Sequence, residues 1–261
     1  VALGMRADEE VRQLALGEEH TCVLLARAGK GPPYDAARLR CFGGNGRGQL
    51  GLGHTDNIGD EAGEMEALKD VDLGVLPEAG ILEIAAGGEH TCALLAGGRV
   101  KCWGRNDAGQ LGLDFRHPRG DGLDDSGASE MGNNLPAVRL GPNARAVRLF
   151  LGGHTSCAAL ADGRFKCWGY NSYGQLGLGN RDNVGSDTYS QMGGNLPFLL
   201  LAPPHLPRPS EAWRVVLVPP SRKAVKTRGV LWSVREAVWY VDRLCKEEAA
   251  TFPLWTPHLR G

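Results

Sequence analysis

Apolar and polar residues alternate in short bursts along residues 11–201, and the bursts return in a fixed order. Each round opens with "RQLALG", "LEIAAGG" or "VRLFLGG", followed by "TCVLL", "TCALL" or "SCAAL", then "LRCFG", "VKCWG" or "FKCWG". After a long glycine-rich stretch comes a fourth burst: "KDVDLG", "PAVRLG" or "PFLLLA". Runs this short, bounded by glycine and rich in β-branched and aromatic residues, predict strands. The tetrapeptide "GQLG" begins at 48, 109 and 174, in steps of 61 and 65, and the second cysteine of each round, at 41, 102 and 167, repeats those steps. Four short strands per unit at such a period predict a β-propeller blade. The expected fold class is therefore all-β: a partial propeller of three four-stranded blades over residues 11–201, after a lead-in over 1–10.

Beyond residue 201 the pattern stops. "APPHLPRPSEAW" reads as a proline-rich linker, and "VVLVPP" as one edge strand. Residues 233–250 predict an amphipathic helix. Ser233 and Glu236 form a capping box, and Val234, Val238, Val241, Leu244 and Cys245 recur at helical spacing.

The phrases "HTCALLAGGRVKCWGRNDAGQLG" and "SCAALADGRFKCWGYNSYGQLG" resemble blades of the regulator-of-chromosome-condensation repeat family. The resemblance covers about three-quarters of the chain. Members of that family usually close a ring of seven blades, whereas three blades form an open arc. The expectation is that further blades lie in a longer chain, or that another chain completes the arc. The resemblance implies protein recognition. The family includes a nuclear GTPase exchange factor, substrate-recruiting parts of ubiquitin ligases and a bacterial β-lactamase inhibitor.

The paired cysteines follow from hairpin geometry. In the second unit a three-residue loop pairs Leu95 with Arg99, and three steps outward on each strand Cys92 stands opposite Cys102. The third unit repeats this, with Leu160 and Arg164 flanking the loop and Cys157 opposite Cys167. In the first unit a twelve-residue loop, 26–37, accounts for the wider spacing of Cys22 and Cys41. Directly opposed cysteines are within disulfide reach. Three such bonds imply an oxidising compartment: extracellular, cell-surface or lumenal. The alternative is three pairs of small buried thiols. Cys245 has no repeat partner.

Other candidate chemistry weakens on inspection. His20 and His90 each stand two residues before a cysteine, as a metal-ligand set would need, but His154 is displaced by one position and no Cys-x-x-Cys motif supports zinc. No metal or cofactor is expected, and the histidines read as residues held by local hydrogen bonds at the start of a strand. Phe42, Trp103 and Trp168 occupy one blade position and predict aromatic wedges between neighbouring blades. The glycine loops lack the Lys-Ser/Thr of a phosphate cradle. No nucleophile-base-acid constellation stands out, so no enzyme activity is expected in the repeats.

The long loops carry acidic stretches before a methionine: "GDEAGEM", "DDSGASEM" and "GSDTYSQM". Long loops on a rigid scaffold commonly carry recognition. Asp60, Glu61, Glu64, Asp124, Asp125, Glu130 and Asp187 are therefore the candidate partner-binding residues. The competing reading is a solvated acidic surface, with the methionine and "NLP" tucking each loop onto its own blade.

Charge sharpens the choice of partner. Residues 1–201 hold 19 Lys/Arg against 25 Asp/Glu, and residues 202–261 hold 10 against 5. An acidic repeat region disfavours nucleic acid. No apolar run is long enough to enter a bilayer as a helix. No signal peptide is visible, but the sequence opens on Val1, so this excludes no secretory route. The expected function is a non-catalytic, extracellular protein-binding module with a partner of unknown identity. The alternatives are a spacer in a larger secreted protein or the non-catalytic arm of a multidomain enzyme. Charge and cysteines argue against nuclear exchange activity.

Overall fold

A computed structural model describes residues 3–32, 37–74, 80–122, 128–186 and 191–199, together with four short strands in the tail. The chain divides into two units, Val1–Leu199 and Leu200–Gly261. In the first, nine strands form three antiparallel sheets. One holds β1 (Glu9–Leu16), β2 (His20–Arg27) and β3 (Arg38–Gly43). The next holds β4 (Ile81–Ala86), β5 (His90–Leu95) and β6 (Arg99–Gly104). The last holds β7 (Ala146–Gly152), β8 (Thr155–Leu160) and β9 (Phe165–Gly169). Each is a blade, with its strands side by side in sequence order.

Short connections set the register. Leu95 pairs with Arg99 and Cys92 with Cys102. In the third blade Gly163 takes φ 81°, a left-handed turn that closes the hairpin and places Cys157 opposite Cys167. In the first blade Cys22 pairs with Cys41 across the longer loop. Each first strand carries a bulge at the same place, at Val11/Gln13, Ile81/Glu83 and Ala146/Arg148.

The expected fourth strand of each blade is not a strand. It is an extended segment held to the third strand by one backbone hydrogen bond: Val71 N to Leu39 O, Val138 N to Val100 O, and Leu199 N to Phe165 O, at 2.7, 2.8 and 2.9 Å. The ladder stops because later carbonyls face the following blade. Asp72 O accepts from Gly132 N at 3.0 Å, and Arg139 O from Gly193 N at 2.6 Å. A backbone acceptor used across the joint is lost to the sheet.

The core lies between blades rather than within them. One apolar cluster joins Leu24, Leu39 and Leu50 of the first blade to Ile84, Leu95 and Trp103 of the second. Another joins Leu94, Val100 and Leu111 of the second to Leu149, Leu160 and Trp168 of the third. A single blade buries too little apolar surface to be stable alone, so neighbours complete it.

In the second unit β10 (Trp213–Val218) pairs antiparallel with β13 (Val238–Arg243), and β11 (Lys226–Thr227) with β12 (Val230–Leu231). The edge strand expected at "VVLVPP" falls within β10. The helix expected over 233–250 is replaced along 238–243 by a strand; the rest of that span lies outside the described residues. The run Val238-Trp239-Tyr240-Val241 is β-branched and aromatic, and this preference for a pleated surface prevails over the helical spacing. Among the described residues no helix is long and apolar enough to cross a membrane.

Candidate functional site

The joint between blades is built from four residue types repeated in register. Thr91 and Trp103 are cross-strand neighbours on β5 and β6, and both are fully buried. Thr91 Oγ1 donates to the carbonyl of Gln49 at 2.9 Å, and Trp103 Nε1 donates to the same oxygen at 3.0 Å. At the next joint Ser156 Oγ and Trp168 Nε1 meet the Gln110 carbonyl at 2.8 and 3.0 Å. The aromatic wedges are thus also hydrogen-bond donors to the preceding "GQLG" turn.

Histidines complete the joint from the preceding blade. His20 Nε2 lies 2.8 Å from Thr91 Oγ1, and His90 Nε2 lies 2.9 Å from Ser156 Oγ. Each hydroxyl has one proton, and it is committed to a carbonyl that only accepts, so each imidazole must donate from Nε2. Nδ1 then carries a lone pair, and at both histidines it is buried without a partner. Burial holds His20 down at about 4, against an opposing pull from Glu89. Burial, then the neighbouring His154 and His20, holds His90 down at about 3. Gly87 makes room for the ring, since a Cβ there would meet His90 Cε1 at 2.1 Å. The hydrogen bonds of His20 and His90 are therefore not local but reach into the next blade. In the third blade Thr155 stands where the histidine would be, and its hydroxyl donates to Tyr170 O at 3.1 Å.

The paired cysteines sit in these clusters, with sulfurs at bonding distance: Cys22–Cys41 and Cys92–Cys102 at 2.08 Å, Cys157–Cys167 at 2.11 Å. Among the described residues no group of three or more His, Cys, Asp or Glu could hold a metal ion.

The long loops are pinned at both ends. Asn45 Nδ2 donates to His54 O and Asp56 O at 2.7 and 3.0 Å, while its Oδ1 accepts from Leu50 N at 3.0 Å. Asn106 does the same with Phe115, His117 and Leu111, and Asn171 with Asn180, Asp182 and Leu176. At the far end Met131 and Met192 are buried in the clusters of the joints. Lys101 Nζ donates to Leu73 O and Gly132 O at 2.7 and 2.8 Å, and Lys166 Nζ to Gly193 O at 3.0 Å. Burial pushes the pKa of both lysines down. The first blade has Arg40 at this position, bound to Asp70 at 2.7 Å.

The acidic candidates separate. Asp60 and Glu61 are exposed on the first loop. Glu64 accepts from Gly59 N and Glu61 N at 2.7 and 3.0 Å, which pulls its pKa down and ties it to its own loop. Glu130 does not belong to a binding surface. It is 7% exposed, ion-paired with Arg119, and accepts from Gly120 N at 3.1 Å. Burial, with Asp121 alongside, raises its pKa. Asp124, Asp125 and Asp187 lie outside the described residues. The buried asparagines and lysines were not singled out by sequence reasoning. Their signal was recurrence: Asn four residues after, and a base one residue before, the second cysteine of each unit.

Three sheets stacked through repeated joints define an arc of a β-propeller. Residues 81–110 and 147–175 match a regulator of chromosome condensation (RCC1) repeat, and residues 162–216 match a second model of that description. The chain carries repeats of the RCC1 family. It is 34% identical over 172 residues to the human X-linked retinitis pigmentosa GTPase regulator, across 66% of this chain and 14% of that protein. It is 29% identical over 191 residues to human RCC1 domain-containing protein 1, across 64% of this chain and 46% of that one. The chain thus spans about a seventh of the first relative and about half of the second. Similar solved structures include human WBSCR16, at TM-score 0.48 and 20% identity over 68% of this chain and 38% of that one. Another is Prp20p from Saccharomyces cerevisiae, at TM-score 0.45 and 24% identity over 68% and 37%.

Proposed function

We propose that the repeats form a non-catalytic protein-binding module whose partner surface is the exposed tips of the pinned loops. The observation that carries this reading is the double anchoring of each loop. An asparagine holds one end and a methionine-glycine turn the other, leaving Asp60 and Glu61 on a pre-ordered tip. A tip already ordered loses less conformational freedom on binding. Its acidic character fits a basic protein segment. Asp124, Asp125 and Asp187 belong to the same surface in this reading. The three cysteine pairs support an oxidising setting, extracellular or lumenal.

Peptide display against the intact chain tests the proposal. It expects selected peptides rich in Lys and Arg, whose association slows with salt and slows several-fold on Asp60→Ser with Glu61→Ser. Binding unchanged by the substitutions places recognition elsewhere.

A second reading is regulation of a GTPase, favoured by the 34% identity to a relative named as a GTPase regulator. Accelerated nucleotide release from a purified small GTPase by the intact chain is its test, and no acceleration across a panel sets it aside.

A further inference from the structure

The two ends of the arc are complementary halves of the joint that the chain builds twice inside itself. On the leading face of the first blade, Leu14 is 57% exposed, although its equivalents Ile84 and Leu149 are 1% and 4% exposed, each against the preceding blade. Leu16 and Val11 are exposed beside it. Thr21 stands in the register of Thr91 and Ser156, facing Phe42 as those face Trp103 and Trp168. The first blade therefore keeps the hydroxyl donor and lacks the indole.

The trailing face of the third blade is the matching acceptor. A Cβ on Gly48 or Gly109 would strike the next blade, at Asp121 N or Ser186 N, within 2.4 Å. One on Gly174 would meet nothing nearer than Asn180 O at 3.8 Å. Gln49 and Gln110 are buried by the following blade, whereas Gln175 is half-buried and its carbonyl has no donor among the described residues. The strand-entering loops continue the pattern. Glu18 N donates to Gly88 O at 3.0 Å and Gly88 N to Gly153 O at 2.7 Å. Gly153 N is the next donor in that series, and Glu18 O is the acceptor with no preceding blade.

We propose that the trailing face of the third blade takes the leading face of a second copy of this chain, head to tail. Thr21 of one copy donates to the Gln175 carbonyl of the other, Gly153 N donates to Glu18 O, and Leu14 enters the apolar cluster beside Leu178. The joint lacks the indole and imidazole links of the internal joints, so it forms reversibly. A heterologous contact of this kind closes into a ring when its rotation allows and otherwise extends.

Sedimentation velocity on the full chain is the test, with Leu14→Glu to block the leading face and Leu178→Glu to block the trailing face. Burying an unpaired carboxylate weakens such a joint by about tenfold or more. The wild-type chain is expected to associate as concentration rises, whether to one closed species or to longer ones. Each variant alone is expected to sediment as a monomer, with a wild-type circular dichroism melt. An equimolar mixture of the two variants retains one intact joint and is expected to give a dimer and nothing larger. A wild-type monomer at every concentration overturns the proposal. So does association that survives either substitution, or a mixture of folded variants that does not dimerise.

Discussion

Trp103 donates its indole N–H to the carbonyl of Gln49, 54 residues earlier and one blade away, at 3.0 Å. The same oxygen accepts from Thr91 at 2.9 Å. Two donors on one buried carbonyl make the joint redundant, and redundancy has a measurable form. Trp103→Phe removes one donor and keeps most of the ring, as Phe42 does in the first blade. A loss of about 1 kcal/mol is expected from the hydrogen bond. Thr91→Val should cost a similar amount. The two together leave the Gln49 carbonyl with no donor and should exceed the sum of the singles by about 1 kcal/mol or more. Urea unfolding of the four proteins measures this directly, and additive losses would contradict the shared acceptor.

The histidines make the joints sensitive to acid. An unfolded histidine titrates near 6.5, while His20 and His90 are held down at about 4 and about 3. The folded state therefore requires both neutral, and the unfolded state binds the extra protons. Their contribution is complete above pH 6.5 and is lost as pH falls from 6.5 towards 4 and then 3. For His20 the full effect is on the order of 3 kcal/mol. Melting temperature measured from pH 7.5 down to 4.5 should fall for the wild type and fall less steeply for His20→Gln. Equal slopes would show that the carboxylates alone govern acid stability.

Glu130 and the Asp60–Glu61 pair look alike in the sequence and should behave oppositely. Glu130→Ser removes the partner of Arg119 and the acceptor of Gly120 N. A loss of about 1–3 kcal/mol follows from groups left without partners. Serine at Asp60 and Glu61 should change stability by less than about 0.5 kcal/mol, since both are solvated. Thermal melts of the two variants side by side decide it.

These contrasts mark where the sequence could be read and where it could not. Strand pairing within a blade depends on neighbours in the chain, so a three-residue loop was enough to set Cys92 against Cys102. The joints depend on residues far apart, such as His20 and Thr91, 71 positions distant, and a periodic pattern marks the positions without naming the partners. Lys101 reads as a surface base, yet its ammonium is buried among carbonyls of two blades. The expected fourth strands had the right composition. They failed as strands because their carbonyls serve the neighbouring blade. Glu130 was taken for a solvated acid because burial under a loop leaves no mark on local composition. In the tail, Val238 and Val241 satisfy helical and extended patterns alike, and only pairing with Trp213–Val218 separates the two.

The cysteine pairs give the last test, and loop length sets its expected order. Cys22–Cys41 closes a separation of 19 residues, while the other two each close 10. Restricting the unfolded chain contributes about 3 kcal/mol for loops of this size, with the longer loop ahead by about half a kcal/mol. The sulfurs also fill the clusters between blades, so removing them opens space there. Full reduction with a phosphine should therefore lower the melting temperature markedly and reversibly on reoxidation. Paired Cys→Ala substitutions made one bond at a time should each reproduce part of that loss. Cys22 and Cys41 are expected to cost at least as much as Cys92 and Cys102. If the protein isolated from an oxidising host melts identically with and without the reductant, the sulfurs are thiols in contact, and the case for an oxidising compartment falls with the bond.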